Sequence, residues 1–188
     1  MNVRAYFFNN MYLNGIQHGI QSGHATDQLW AKYVRRILPF IGTWGGPVTA
    51  IDQEAVRFLH TLVEFASDHK TWIVMNGGDH EALVDLYNFL SNPAWHYPYS
   101  HFTEPGLNDA FSSVAVVIPE RLYDTTAQAL GKAVAQMNWV EDRNGACHAA
   151  SKWAERMDAP THAECSRRLY TAWEVEFLKR KHKCDLAR

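Results

Sequence analysis

Three short runs of β-branched and aromatic residues constrain this chain more than any other feature: V-R-A-Y-F-F at 3–8, K-T-W-I-V-M-N at 70–76 and S-S-V-A-V-V-I-P at 112–119. Each has the length and composition of a strand. The last two are apolar without strict alternation, as expected where a sheet is covered on both faces. Helical spacing fills the intervals. The segment from 15 to 38 places Ile16, Ile20, Gly23, Trp30, Val34 and Leu38 on one face, and Pro39 with G-T-W-G-G-P (42–47) is expected to end it. Asp52 is positioned to cap a second helix with Ala55, Leu59, Leu62 and Ala66 as its stripe. The run at 70–76 reads as the central strand. Asp79 then caps a third helix carrying Ala82, Leu83, Leu86, Tyr87 and Leu90, which S-N-P at 91–93 stops. Residues 97–102, with Pro98 unable to donate to a ladder, fit an edge strand. The order β-α-α-β-α-β-β predicts an α/β fold: a compact mixed four-stranded sheet flanked by helices.

Beyond residue 120 the pattern changes. Residues 121–140 read as helical and 141–160 as a small, polar linker. Thr161 with Glu164 forms a capping box for a last helix running to about 183, whose Leu169, Tyr170, Trp173 and Phe177 need a surface to pack on. We therefore expect a domain at 1–120 and a helical extension at 121–188, packed on that domain or making a homodimer through its last helix. No apolar run approaches the length of a membrane span, and three widely spaced cysteines argue against a disulfide framework, so a cytoplasmic protein is expected. The net charge of −2 hides basic ends (+3 for 1–40, +3 for 161–188) around a middle at −8, which excludes a uniformly basic nucleic-acid binder.

The first helix holds the most distinctive polar pattern. Gln17, Gln21, His24 and Gln28 fall within about a 60° sector beside the apolar stripe. Amides and an imidazole there suit directional hydrogen bonds more than solvation. Gly19 and Gly23 lower helix propensity by about 1 kcal/mol each, which suggests that a backbone or a ligand comes close. Elsewhere, Cys147-His148, His162-x-x-Cys165 and His182-x-Cys184 hold zinc-ligand residue types without a standard spacing, and we expect no metal there. N-G-G-D at 76–79 is read as a cap turn, although glycines at a helix start also suit an anion. W-G-G-P at 44–47 is a candidate flap.

Q-S-G-H-A (Gln21–Ala25), on a glycine-rich helix after an N-terminal strand, resembles the Q-C-S-H-A segment of type 2 peptidyl-tRNA hydrolases. H-K-T-W-I-V-M-N-G-G-D-H-E-A-L-V-D-L-Y (69–87) looks like that family's second strand, turn and helix. T-E-P-G-L-N-D-A (103–110) resembles its D-A-G-R-T-Q loop, and S-V-A-V-V-I-P (113–119) its final strand. The likeness covers about residues 3–120 in register. It implies a fold of that family and hydrolysis of the ester between a peptide and tRNA, without cofactor, with tRNA or a nucleotide-like ligand as partner. In this register the family's helix lysine falls at Gln17, its loop aspartate at Glu104, its loop arginine at Leu107 and the following threonine at Asn108. The resemblance then implies that Glu104, or His24 in its place, handles the water's proton. His18, Gln17 and Asn108 would supply donors, Gln21 would position the ester, and Gln28, Gly19 and Gly23 would line the bound substrate. The other outcome compatible with these substitutions is a binding module of the same fold, without catalysis, for a nucleotide, an RNA end or a protein partner.

Overall fold

The computed structural model describes residues 3–41, 50–123 and 172–186. Contacts divide the chain into two compact units, Met1–Tyr123 with Ala187–Arg188, and Asp124–Leu186. The first unit is an α/β layer structure. Its strands are β1 (Val3–Asn10), β2 (Trp72–Gly78), β3 (Tyr99–Glu104) and β4 (Ala110–Pro119), in the sheet order β2-β1-β4-β3. β1 runs parallel to β2 and antiparallel to β4, and β4 is antiparallel to β3. The sheet is therefore mixed and four-stranded, as expected.

The residues at 70–76, read as the central strand, form an edge instead. The centre is β1 and β4, whose residues are almost all buried. In β2, Trp72 is 44% exposed and Val74 40%, while Met75 is buried. An apolar run signals a strand, but the helix layer decides which of its faces is covered. Here that layer sits over β1, β4 and β3 and leaves one face of β2 in water.

α1 (Gly15–Ile41) and α2 (Ala50–Glu64) lie on one face of the sheet. Ala25, Leu29 and Tyr33 of α1 join Phe58 and Leu62 of α2 in one core with Val3, Ala5, Phe7, Ala115 and Val117. A π-helical turn at Phe65–His69 follows α2 and closes on Lys70, in left-handed conformation, whose N–H donates to the Phe65 carbonyl. On the other face lies α3 (His80–Leu90), with Leu83, Leu86, Phe89 and Leu90 buried. Its start was legible: the Asp79 side chain accepts from the N–H of Ala82 at 3.0 Å. Gly77 lets α3 come this near, because a Cβ there would stand 2.5 Å from Leu83 Cδ2 and 2.9 Å from the Phe8 carbonyl carbon.

Two expectations for α1 are corrected. The helix passes through Pro39 to Ile41, since proline in a last turn forfeits a single intrahelical bond. Its buried face is also the opposite one. Ile16 and Ile20 are 78% and 51% exposed and Leu38 55%, whereas Gln21, Ser22, Ala25, Leu29 and Tyr33, roughly half a turn away around the axis, are buried. Close approach selects that face. Small Ser22 and Ala25 bring the helix onto the sheet, where the Ser100 hydroxyl donates to the Ala25 carbonyl at 2.6 Å.

Farther along α1, the Tyr33 hydroxyl donates to the carbonyl of Tyr99 and accepts from its N–H, both at 3.0 Å, at the start of edge strand β3. Lys32 Nζ donates to the same carbonyl at 3.2 Å and stands 3.3 Å from the centre of the Tyr99 ring. Burial, with the charge of Arg36 next in importance, lowers the Lys32 pKa to about 8.

The second unit contributes one described element, α4 (Ala172–Leu186), with Glu174, Val175, Phe177, Leu178 and Lys181 buried and Trp173 half-buried. The helix expected at 121–140 lies outside the described residues except for the 3-10 turn Glu120–Leu122. So do the linker at 141–160, the capping pair Thr161 and Glu164, Leu169, Tyr170 and the flap at 44–47.

Candidate functional site

The polar residues of the first unit collect at one end of the sheet. The carboxyl ends of parallel strands β1 and β2, the end of β3 and the start of β4 meet there beside the N-terminal turns of α1. Open α/β sheets place ligand sites at such carboxyl ends. β1 supplies Asn9 and Asn10, α1 supplies Gln21 and Ser22, β3 supplies Glu104, and β4 supplies Ser112 and Ser113.

The centre is a chain of three side chains from three elements. Gln21 Nε2 donates to Glu104 Oε2 at 2.7 Å, and the Ser112 hydroxyl lies 2.8 Å from Gln21 Oε1 and 3.1 Å from the Phe102 carbonyl. Gln21 is thereby held at both ends of its amide. A register shift between β3 and β4 makes this possible. Phe102 pairs with Ser113 and Thr103 with Phe111, so Ser112 is an extra residue with no cross-strand partner. A bulge of this kind re-aims side chains, and here it accompanies a buried serine turned to α1. Glu104 also caps the turn Pro105–Leu107, where its second oxygen receives only a long 3.5 Å contact from the Gly106 N–H. One carboxylate oxygen is thus fixed by Gln21, and the other is nearly free to accept.

Beside this chain lies a more buried group. Asn9 Nδ2 donates to the His18 carbonyl at 2.9 Å and to Ser22 Oγ at 3.0 Å, and the Ser22 hydroxyl also reaches the His18 carbonyl at 2.8 Å. Those two donations fix the orientation of the amide, because a flipped Asn9 would set oxygen against oxygen. Among the described residues, Asn9 Oδ1, Ser113 Oγ and His18 Nδ1 are buried without a hydrogen-bond partner. Asn9 and Ser113 are register partners across β1 and β4, so two of these three atoms come from neighbouring side chains. Buried polar atoms are paired as a rule, so these atoms are free to bond a water or a ligand group. The start of β4 is clamped from outside: Asn10 Nδ2 donates to the Phe111 carbonyl at 3.1 Å, and His80 Nδ1 accepts the Phe111 N–H at 3.0 Å.

The structure sorts the residues proposed from sequence into groups. Gln21 and Glu104 are brought into contact. His24 is exposed one turn farther along α1, its ring stacked on Phe102 at 4.5 Å, and Phe102 lies two residues before Glu104. His18 is half-buried against Asn9. Gln17 serves the helix itself. Its N–H donates to Asn14 Oδ1 and its Oε1 accepts the Asn14 N–H, both at 2.9 Å, a reciprocal capping box. Asn108 is exposed in left-handed conformation (φ 53°) at the end of the Pro105–Leu107 turn. Gln28 is exposed, two turns beyond Gln21. Among the described residues nothing approaches either glycine, since a Cβ at Gly19 or Gly23 would meet none of them within 4 Å.

Asn9, Ser22, Ser112 and Ser113 were missed. The signal for Asn9, Ser112 and Ser113 was N-N closing the first apolar run and S-S opening the last, polar pairs set into strands that are otherwise buried. Of the cysteine and histidine set, His182 and Cys184 lie on α4, while Cys147, His148, His162 and Cys165 are outside the described residues. No described helix is long and apolar enough to cross a membrane.

Fold and site together define an α/β protein with a four-stranded mixed sheet and a polar site of amides, hydroxyls, one carboxylate and imidazoles at one sheet end. Set against protein-family models and curated protein sequences, the chain has no match.

Proposed function

We propose that the chain is a hydrolase of the ester joining a peptide or amino acid to tRNA, or of a related small ester or amide, as its resemblance to type 2 peptidyl-tRNA hydrolases implies. The observation that carries the reading is the 2.7 Å bond from Gln21 to Glu104. It joins, across 83 positions of sequence, Gln21, which like His24 matches the family by identity, and Glu104, which stands where the family has aspartate. Ester hydrolysis needs a group to take the proton of the attacking water and donors for the oxyanion. Glu104, held through Oε2, takes that proton on its freer Oε1 as the water oxygen bonds to the ester carbonyl carbon. The tetrahedral oxyanion collapses, the bond to the ribose oxygen breaks, and the proton passes to that oxygen as it leaves. His24, exposed and stacked on Phe102 two residues before Glu104, is the group we assign to relay it. The Gly106 N–H lies 3.5 Å from Glu104 Oε1, and Asn108, two residues farther on, is assigned as a donor to the oxyanion.

A second reading rests on Gln17. The position matching the family's lysine is engaged in capping α1, and the site residues named above include no lysine or arginine. A site of neutral donors suits binding without turnover.

Hydrolysis of an N-blocked aminoacyl-tRNA by the full chain separates the two, with Glu104→Gln and His24→Ala in parallel. Turnover that Glu104→Gln lowers by about a hundredfold or more supports the hydrolase. No turnover above the uncatalysed rate from folded protein overturns it. Tight binding of the amide analogue, N-blocked aminoacylamino-adenosine, would then support the binding module.

A further inference from the structure

β2 lies at an edge of the sheet. The Ala5 N–H donates to the Thr71 carbonyl. By the alternation of a parallel ladder, Trp72, Val74 and Asn76 therefore turn their backbone N–H and C=O groups away from β1. Among the described residues no strand pairs with them on that side. Trp72 and Val74 also present exposed side chains on the face that α1 and α2 leave open. Exposed edges are ordinarily blunted by an inserted charge, a proline or a covering element. W-I-V-M-N-G-G has neither charge nor proline. Its charges stand just outside, Lys70 before the strand and Asp79 after it, both exposed.

We propose that this edge is a self-association surface on which β2 of a second copy docks antiparallel, making one continuous eight-stranded sheet. Backbone groups that face outward can pair only with others that face outward, which puts the two-fold axis through a residue, and an axis through Val74 is the one that gives Trp72, Val74 and Asn76 all a partner among themselves. Trp72 then faces Asn76 of the second copy, and about six backbone hydrogen bonds form. Lys70 falls opposite Gly78 and beside Asp79 of the second copy, so opposite charges meet at both ends. A parallel docking would set lysine against lysine and aspartate against aspartate. The charges thus select the antiparallel arrangement, and a two-fold axis makes one patch sufficient for both partners. This interface is separate from the candidate site and independent of the proposed reaction.

Sedimentation equilibrium of the full chain from about 1 to about 300 µM tests it, a range that spans weak to moderate dimers. The expected result is a monomer–dimer equilibrium. Val74→Pro removes the two N–H groups at the axis and no bond to β1, so it weakens dimerisation by at least about tenfold. Its far-ultraviolet circular dichroism stays native. Should that variant fail to fold, Val74→Lys places like charges at the axis and gives the same weakening. Lys70→Glu weakens the dimer at low salt and less at high salt. Wild-type chain that stays monomeric throughout, or a dimer that none of these substitutions weakens, overturns the proposal.

Discussion

Two kinds of glycine in this chain respond oppositely to alanine, and the contrast tests how the helices sit. At Gly19 and Gly23 in α1, an added Cβ meets none of the described residues within 4 Å. Nothing there opposes the gain in helix propensity, so each Gly→Ala change stabilises by about 0.5–1 kcal/mol. At Gly77 the added Cβ would press on Leu83 Cδ2 at 2.5 Å and on the Phe8 backbone at 2.9 Å. Strand and helix must part, which costs about 1–3 kcal/mol. For a chain of this length about 1 kcal/mol moves the melting temperature by about 2–4 °C. Gly19→Ala and Gly23→Ala should therefore melt a few degrees higher and the pair higher still, while Gly77→Ala melts clearly lower. Urea titration at fixed temperature gives the free energies directly. Destabilisation by alanine at Gly19 or Gly23 would refute the reasoning, because it would mean that another part of the chain lies against that face. Stabilisation together with weaker binding of N-blocked aminoacylamino-adenosine would place ligand there instead.

Two further outcomes follow from named contacts. Asn14→Ala removes the side-chain oxygen that accepts the Gln17 N–H, leaving only the bond from its own backbone N–H to Gln17 Oε1, and should cost about 1 kcal/mol in urea unfolding. An unchanged midpoint would show that the box does not hold the start of α1. Lys32 has a pKa lowered to about 8 in the folded chain against 10.5 for the free side chain. The wild type bears the cost of a desolvated ammonium below pH 8 and sheds it progressively as pH rises from about 8 toward 10.5, where the unfolded chain still holds the proton. Lys32→Met removes that term while the tyrosine titrations remain in both proteins. The stability of the variant minus that of the wild type should fall between pH 7 and pH 10, and a difference flat across that range would contradict the depressed pKa.

The layer order was legible because it rests on local signals. Asp79 caps α3 as its position before an apolar stripe suggests, and the V-A-V-V-I run is buried throughout. Properties that depend on neighbours were not legible. An apolar stripe led by Ile16 and Ile20 looked like the core face of α1, but Ser22 and Ala25 allow closer approach and the helix turned that way. The edge position of β2 depends on where the helices lie, which its own residues do not encode. In the candidate site, Gln21 stood out on its helix and Glu104 came through the resemblance. Their partner Ser112 depends on a register shift between two strands, visible only once the strands are paired.

The two borders of the sheet are unlike, and this limits how large an assembly can become. At β3 the Tyr33 hydroxyl engages both backbone groups of Tyr99, and the Lys32 ammonium lies on the same carbonyl. A strand arriving there finds its first rung taken and would have to displace a phenol and an amine to begin a ladder. Growth from that side is arrested before it starts, whereas β2 stays open. If β2 associates as proposed, pairing through one border while the other is occupied would end sheet growth at two copies.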